Sequence, residues 1–357
     1  MCERDGGMEN RKKWVFNCVL LFGITALTLY FILHGQDPHR LYQALELANG
    51  WYWLAAIACV FPFVFSESLI LYLLLRHVGA KPKTGHCLIY SAIGFFFSCI
   101  TPAAGGGQPA QVYYMHKDGL NPGTTAPILM VVTVFYKLVL VIAGAVLFIV
   151  RPASLLRADD TVLWWAGAGW AVNVVVVAFF ALLVIRPEPA ERVCLSFFDW
   201  LSHRKIRQDR VAHWRAKAER SFLHYHEVSR YLRNSAKLPA LVLLISIVQR
   251  AILFSVTWLV IRSFGIAGGI SAPEIILLQA MVSLGTDMIP LPGGSGVSEA
   301  MFLLLFEPLC GEAAAIPVLI ASRGISYYGQ LLICGAIFLV FGRLIGENGR
   351  KRKSDRT

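Results

Sequence analysis

Long apolar stretches alternate with short polar ones along the chain, and this pattern predicts membrane-spanning helices. A helix needs about 20 mostly apolar residues to cross about 30 Å of hydrocarbon. Two apolar pieces, 85–101 and 273–289, each run into a Gly/Pro loop and then a short amphiphilic piece, 109–116 or 297–306. We therefore predict an all-α integral membrane bundle of six full spans and two re-entrant hairpins. The six spans are 14–34, 51–76, 123–150, 162–185, 238–263 and 315–341.

Composition agrees with this pattern. Hydrophobic residues make up 56% of the 357 positions and charged residues only 15%, whereas soluble domains carry about a quarter charged residues. The eight cysteines show no C-x-x-C spacing and have no histidine at ligand spacing. They indicate neither a disulfide framework nor a zinc site, and we expect no metal and no cofactor.

The basic residues predict the orientation in the membrane. If the N-terminus is cytoplasmic, the inner segments hold 26 of the 33 Lys and Arg residues and the outer segments hold four. This asymmetry follows the positive-inside rule, and making either hairpin a full crossing would reverse part of it. We expect a cytoplasmic N-terminus (1–13) and a basic cytoplasmic tail (346–357).

The two halves of the chain resemble each other at offsets of 186 to 191 positions. "LLRHVG" at 74–79 is similar to "VIRSFG" at 260–265, and P-x-x-G-G occurs at both 102–106 and 290–294. We predict two inverted repeats with alternating access around a site near the midplane. Repeat 1 spans 14–150 with hairpin 85–116, and repeat 2 spans 162–345 with hairpin 273–306, interrupted by the basic segment 186–237.

That segment carries 12 basic and 6 acidic residues. Apolar residues recur in it at helical spacing, which predicts an amphipathic helix on the inner leaflet, attracted to anionic lipid. The residues are Val211, Trp214, Ala218, Phe222, Tyr225 and Leu232. Positive-inside bias accounts for the charge, and we expect no DNA partner.

Six ionisable residues lie within the predicted spans and hairpins, where charge is costly and usually functional. They are Glu67, Lys137, Arg250, Asp287, Glu299 and Arg323. For Glu67 and Arg250 we give equal weight to two interpretations: mutual pairing that stabilises the bundle, and a functional role. Lys137, beside Tyr136, and Arg323, near Tyr327, lie on equivalent helices, and two bases facing two glycine loops would suit an anionic head group.

The glycine loops offer complementary chemistry, because successive backbone N–H groups form an anion-binding concavity and the following helix adds its positive end. Glu299 would orient Arg323, cap its own helix or bind a substrate amine, and all three roles stay open. Neither loop contains a P-loop, a dinucleotide fingerprint or a nucleophile elbow, so we assign no catalytic residue. The remaining head-group candidates are Gly105, Gly106, Gly107, Gln108, Gln111, Gly293, Gly294 and Gly296, with Pro102, Pro290 and Pro292 breaking the helices.

"TPAAGGGQPAQVYYMHKDG" and "IPLPGGSGVSEAMFLLL" resemble the lysylphosphatidylglycerol synthase/flippase-like transmembrane family. The resemblance covers roughly residues 10 to 345, and the motif from Pro290 to Glu299 is its more specific part. Similar sequences usually have an acidic residue after the first glycine run and a nearby arginine, where this chain has Gln108 and Gln111. The resemblance implies that full-length relatives use a soluble domain to move lysine from lysyl-tRNA onto phosphatidylglycerol. Their membrane domain flips the product, which repels cationic antimicrobial peptides.

The leading hypothesis is a flippase for an anionic or aminoacylated phospholipid in a bacterial inner membrane. No segment here is long enough to fold into the soluble catalytic domain, so we expect the membrane half alone. One alternative is a phosphatidylglycerol lysyltransferase, acting alone or with a separate catalytic partner on 186–237. Another is a transporter of a different lipid-linked phosphate. Whether identical copies assemble stays open.

Overall fold

A computed structural model describes most of the chain from residue 48 onward. The first predicted span, 14–34, and the two terminal segments lie outside the described residues. The described residues are 46, 48–80, 82–101, 104–151, 160–202, 208–233, 237–266, 271–287, 289, 291–342 and 345.

The described residues form helices and no strands. Local sequence explains several boundaries: the Asn49 side chain accepts a hydrogen bond from the Trp51 N–H at 3.0 Å, and Asn121 caps a helix that begins with Pro122. A 3₁₀ turn, Pro292–Gly294, and a π-helical segment, Gly324–Gly329, complete the described elements. The helices are α1 Gly50–Ala58, α2 Val60–His77, α3 Thr84–Ile100, α4 Gly107–Lys117, α5 Pro122–Val150, α6 Asp160–Ile185, α7 Glu188–Ser202, α8 Gln208–Arg233, α9 Lys237–Ser263, α10 Ala272–Thr286, α11 Val297–Cys310, α12 Glu312–Arg323 and α13 Gln330–Phe341.

Five helical segments among the described residues are long and apolar enough to cross a bilayer. They correspond to five of the six spans predicted from hydropathy. The prediction of an all-α membrane protein is therefore confirmed. The segments are Gly50–His77, Pro122–Val150, Thr161–Ile185, Lys237–Ser263 and Glu312–Phe341.

The shorter apolar helices form two helical hairpins, α3 with α4 and α10 with α11. We call them the first and second hairpin. In the first, Gly107 lies against Ser98, Gln111 lies against Gly94, and Asp118 accepts from His86 at 2.7 Å. These contacts run in opposite directions along the two helices, so the chain turns back on itself. At 1.5 Å per residue, α4 is about 16 Å long, half the hydrocarbon thickness.

The helix boundaries of the two halves correspond closely. Each half contains a long helix, a short hairpin and a second long helix, and Pro127 and Pro317 lie inside the last helix of each. The π-helical segment follows Pro317, and a π turn holds one residue more than an α turn. It coincides with the change of offset from 190 to 191 between the halves. The pairs are Gly50–His77 with Lys237–Ser263, Thr84–Ile100 with Ala272–Thr286, and Pro122–Val150 with Glu312–Phe341. Division into two repeats stays a prediction, which this correspondence supports.

Two apolar clusters hold the bundle together, and α2 belongs to both. Its first half, including Phe63, packs with α9 and belongs to the same cluster as residues of the second hairpin. Its second half, including Leu71, packs with the first hairpin and α5. Glu67 therefore lies on α2 at the level where the two clusters meet.

The basic segment folds as two helices, α7 and α8, that pack on each other, with α8 also against α5. The predicted apolar stripe lies on α8, where Val211 and Tyr225 are buried and Trp214 is exposed. Tyr225 donates to the carbonyl of Leu183 at 3.0 Å, which fixes α8 against the end of α6. The sequence pattern did not separate α7 from α8. Val193, Phe197 and Trp200, one to two turns apart on α7, remain exposed.

Candidate functional site

The turns of the two hairpins meet at Tyr327, inside the π-helical segment. Its hydroxyl donates to the carbonyl of Cys99, at the end of α3, at 2.8 Å. Its ring packs on the glycine loop between the helices of the second hairpin, which we call the second loop. A Cβ on Gly293 in this loop would lie 2.5 Å from ring carbons. Gly293 also has a φ of 62°, which disfavours any side chain. Tyr327 therefore joins the end of one hairpin helix to the glycine loop of the other.

Lys137 makes a second polar contact between the halves near these turns. Its ammonium pairs with the carboxylate of Asp287, the C-terminal cap of α10, and lies 3.4 Å from the side-chain oxygen of Asn173 on α6. The side chains of Lys137 and Asp287 are 20% and 31% exposed. The pair is therefore only partly shielded, and a competing ion can reach it.

These two contacts occupy corresponding positions in the two halves. Lys137 and Tyr327 are 190 positions apart, and Cys99 and Asp287 are 188 apart, both within the range of the repeat offsets. In each half, the long helix after the hairpin reaches across to the end of the first hairpin helix in the other half. The contacts are reciprocal in place and different in chemistry.

Arg323, in the last turn of α12, closes the second loop. Its guanidinium lies 2.7 Å from Glu299 Oε1 and donates two bonds, of 3.2 and 3.3 Å, to the carbonyl of Gly293. The other oxygen of Glu299 accepts from the Gly296 N–H at 2.6 Å and from the Ser298 hydroxyl at 2.9 Å. Glu299 thus has two of its three predicted roles, because it caps α11 and orients Arg323.

The second loop itself depends on glycine. Gly294 has a φ of 62° and Gly296 a φ of 90°, both in the region that L-residues with side chains avoid. Arg323 Nε is buried without a hydrogen-bond partner among the described residues. The terminal nitrogens of Arg323 are already engaged, so a bidentate clamp on a ligand would need them to leave Gly293 or Glu299.

The first loop contains neutral contacts at the equivalent positions. Gln108 donates to the Thr133 hydroxyl, and buried Gln111 donates to the Tyr90 carbonyl at 3.2 Å. By offsets of 190 and 188, Thr133 corresponds to Arg323 and Gln111 to Glu299. The ion pair of the second hairpin therefore has two neutral side chains as its counterpart in the first.

The three glycines of the first loop differ in their surroundings. Gly105 is exposed, and the Gly106 N–H donates to the Thr101 hydroxyl at 2.9 Å. A Cβ on Gly107 would lie 2.5 Å from the Gly94 carbonyl oxygen, so this glycine permits close packing of α3 and α4. Pro102 and Pro290 lie outside the described residues, as does the side chain of Pro292.

Glu67 and Arg250 are buried, at 7% and 5% exposure, and do not form an ion pair within 4 Å among the described contacts. Glu67 accepts from the Gln249 amide at 3.3 Å. The Arg250 guanidinium carbon lies 3.3 Å from the centre of the Tyr136 ring, a cation–π contact. The predicted mutual pairing is therefore absent in this conformation.

The structure thus brings most predicted residues together, with one difference in arrangement. We expected Lys137 and Arg323 to face one loop each, yet both contact residues of the second hairpin and its loop, Asp287 and Gly293. Sequence reasoning missed Thr133, Asn173 and Gln249. A search for polar side chains within apolar spans would have found them, because such groups need partners in hydrocarbon.

Comparison with known protein families gives a match over most of the chain. A family model described as the lysylphosphatidylglycerol synthase TM region matches residues 18–334. No curated protein matches the chain. The match includes both hairpins, both reciprocal contacts and the basic segment between the halves.

Proposed function

The chain belongs to the lysylphosphatidylglycerol synthase transmembrane family, and from that premise we propose that it translocates a phospholipid, anionic or aminoacylated, between leaflets. The observation that carries the proposal is the meeting of two glycine-rich turns with ion pairs inside a membrane bundle. Charges in hydrocarbon are costly and are retained mainly where they serve a pathway. Backbone outside helices is tolerated there only beside protein or a polar cavity.

The ion pairs suggest how a head group would be bound. A lipid phosphate can replace Asp287 on Lys137, or Glu299 on Arg323, without leaving the cation unpaired. An aminoacylated head group also carries an amine, which can pair with the released carboxylate. Exchange with such a head group conserves the number of ion pairs, so it avoids the cost of an unpaired buried charge.

The reciprocal contacts suggest how access could alternate. Tyr327 holds the end of α3 and Lys137 holds the end of α10. In an inverted repeat these two ends face opposite leaflets, so breaking one contact at a time would open the site to one side at a time. The acyl tails stay in the bilayer throughout. We further propose a bacterial inner membrane with cytoplasmic termini, where export of cationic lipid would weaken the binding of cationic antimicrobial peptides.

Reconstitution tests this function. Purified protein in vesicles should accelerate exchange of a fluorescent phosphatidylglycerol or lysylphosphatidylglycerol between leaflets at least tenfold over empty vesicles. Arg323→Ala should abolish the acceleration, because the second loop loses its cation. Arg215→Ala, which removes an exposed arginine paired outside the spans, is the matched control and should retain it. Lack of acceleration for every lipid tried would refute the proposal.

The family description favours a second candidate, phosphatidylglycerol lysyltransferase activity. A separate catalytic partner would dock on α7 and α8, where Phe197, Trp200 and Trp214 are exposed. Vesicles supplied with lysyl-tRNA and phosphatidylglycerol should then form lysylated lipid, with the chain alone or only after the partner is added. Exchange of a polyprenyl phosphate without exchange of either phospholipid would instead identify a carrier of another lipid-linked phosphate.

A further inference from the structure

Three of the six ionisable residues are acids. Glu67 is the one of these three that has no cationic partner within 4 Å among the described residues. It is 7% exposed and lies on α2 between the two apolar clusters. An ionised carboxylate without a partner at such a site costs several kcal/mol or more. In this conformation the surroundings of Glu67 therefore favour its neutral, protonated form.

The hydrogen bonding around Glu67 leads to the same conclusion. The Gln249 amide nitrogen is shared between Glu67 Oε2 at 3.3 Å and the Phe63 carbonyl at 3.2 Å. The Gln249 side-chain oxygen is fully buried and accepts no hydrogen bond in the described part of the chain. Glu67 and Gln249 thus present acceptors that lack a donor. One proton on the Glu67 carboxyl supplies it, because a protonated acid can donate to the amide oxygen while it accepts from the amide nitrogen.

Arg250 is the nearby cation, and it is turned to another group. It stacks on Tyr136 at 3.3 Å, and its Nε is buried without a partner in the described residues. On the elements packed around this part of α2, α5 also carries Lys137, which is paired with Asp287. The other titratable side chains at this level are neutral: Tyr136 from α5, Cys99 from α3, Tyr327 and Tyr328 from the π-helical segment, and Tyr52 near the start of α1. Arg250 is therefore the one cation at this level that no carboxylate engages, and so the one available to an ionised Glu67 among the described residues.

We propose that Glu67 is a proton-binding site in the membrane, occupied in this conformation and emptied when Arg250 moves from the Tyr136 ring to the carboxylate. Proton release leaves an ion pair where a neutral acid and a ring-stacked cation had been. The charge of the cluster changes by one, and the proton leaves to solvent.

The cluster is joined to the reciprocal contacts through the backbone of α5. Tyr136, which holds Arg250, is followed directly by Lys137, which holds Asp287. Movement of Arg250 frees the Tyr136 ring and so alters the position of Lys137. On the proposed function, proton occupancy of Glu67 thus supplies a driving force for alternating access. This coupling depends on lipid translocation, whereas the proton site itself does not.

Infrared spectroscopy tests the proton site without any transport assay. A protonated carboxyl has a C=O stretching band distinct from that of a carboxylate. At neutral pH the protein should show this band, Glu67→Gln should remove it, and Glu307→Gln, at an exposed position of α11, should leave it. If Glu67→Gln removes only carboxylate absorption, the proton site is refuted.

Lipid exchange tests the coupling. In vesicles the wild-type rate should change with pH by about tenfold per unit beyond the midpoint of a one-proton titration, and Glu67→Gln should remove this dependence. If the Glu67→Gln protein exchanges lipid with the wild-type pH profile, the coupling is wrong although the site stands. If no variant exchanges any lipid while the infrared band behaves as expected, the proposed function fails and the proton site remains.

Discussion

The two hairpins have the same architecture and different chemistry, and the difference indicates where the charge of the site is concentrated. At the second hairpin, Arg323 of α12 pairs with Glu299 and donates to the Gly293 carbonyl. At the equivalent positions of the first, Thr133 and Gln111 make neutral hydrogen bonds. Corresponding elements of the two halves that differ in charge can share a backbone role while only one pairs ions.

The glycines of the two loops differ in a similar way. In the second loop, Gly293, Gly294 and Gly296 have positive φ, so the backbone path itself excludes side chains. In the first loop, Gly107 is needed because the Gly94 carbonyl lies too close for a Cβ. Among the described residues, the second loop thus has the more constrained backbone as well as the charge.

Of the substitutions that distinguish the two hairpins, loss of Arg323 should have the largest effect. Arg323→Ala leaves Glu299 buried without its cation, and we expect a loss of about 3–5 kcal/mol in the free energy of unfolding. Thr133→Ala, the matched change beside the first hairpin, removes two neutral hydrogen bonds, with Gln108 and the Leu129 carbonyl, and should cost about 1–2 kcal/mol. Denaturant unfolding in mixed micelles measures both.

A double variant separates lost charge from lost packing. Arg323→Ala with Glu299→Gln removes both charges, so much of the stability lost in the single variant should return. If the double variant is no more stable than Arg323→Ala, the cost does not arise from an unpaired carboxylate. If Thr133→Ala is as destabilising as Arg323→Ala, the contrast between the hairpins is wrong.

Much of this architecture could be predicted from the sequence, because hydropathy and glycine/proline placement are local signals. They predicted five of the described spanning segments and both broken hairpins. Partners were harder to predict. Contact between Glu299 and Arg323 was one of three roles of Glu299 that the sequence left open, whereas the Lys137–Asp287 pair, which joins residues 150 positions apart, was not predicted. Arg250 stacks on Tyr136 instead of pairing with Glu67, a choice that depends on how α2, α5 and α9 pack.

The offset between the halves identifies corresponding residues that the sequence motifs themselves do not point to. Applied to Arg323 it leads to Thr133, and applied to Cys99 it leads to Asp287. Only the structure showed that Thr133 contacts Gln108 and that the Cys99 carbonyl contacts Tyr327. Thr133 carries no charge and Cys99 acts through its carbonyl, so composition gave no reason to select either residue.

Substitution of Gly293 should have the next largest effect. Gly293→Ala places a Cβ 2.5 Å from the Tyr327 ring at a φ of 62°, and we expect a cost of about 2–4 kcal/mol from left-handed backbone strain and overpacking together. Gly50→Ala, at a helix start with nothing within 4 Å of the new Cβ, is the control and should be close to neutral.

The Gly293 result can be assigned to the ring by a second substitution. Tyr327→Leu removes the ring that the new Cβ would meet, so Gly293→Ala should cost less in that background. An equal cost in both backgrounds would mean that backbone strain alone excludes a side chain at Gly293, and that the ring does not define the shape of the second loop.

The smallest effect should come from the hydroxyl that joins the first hairpin to the second half. Tyr327→Phe keeps the ring on Gly293 and removes the bond to the Cys99 carbonyl, so we expect a loss of about 1 kcal/mol. Tyr113→Phe, at a tyrosine that is 62% exposed on α4, should have no measurable effect.

The same substitution tests whether the two reciprocal contacts close opposite sides of one site. If they do, Tyr327→Phe should expose α3 to a water-soluble thiol reagent at Cys99, while Cys310, at the end of the second hairpin, keeps its wild-type reactivity. Equal increases at both cysteines would mean that the contacts open together, and the hairpins would then act as one gate instead of two.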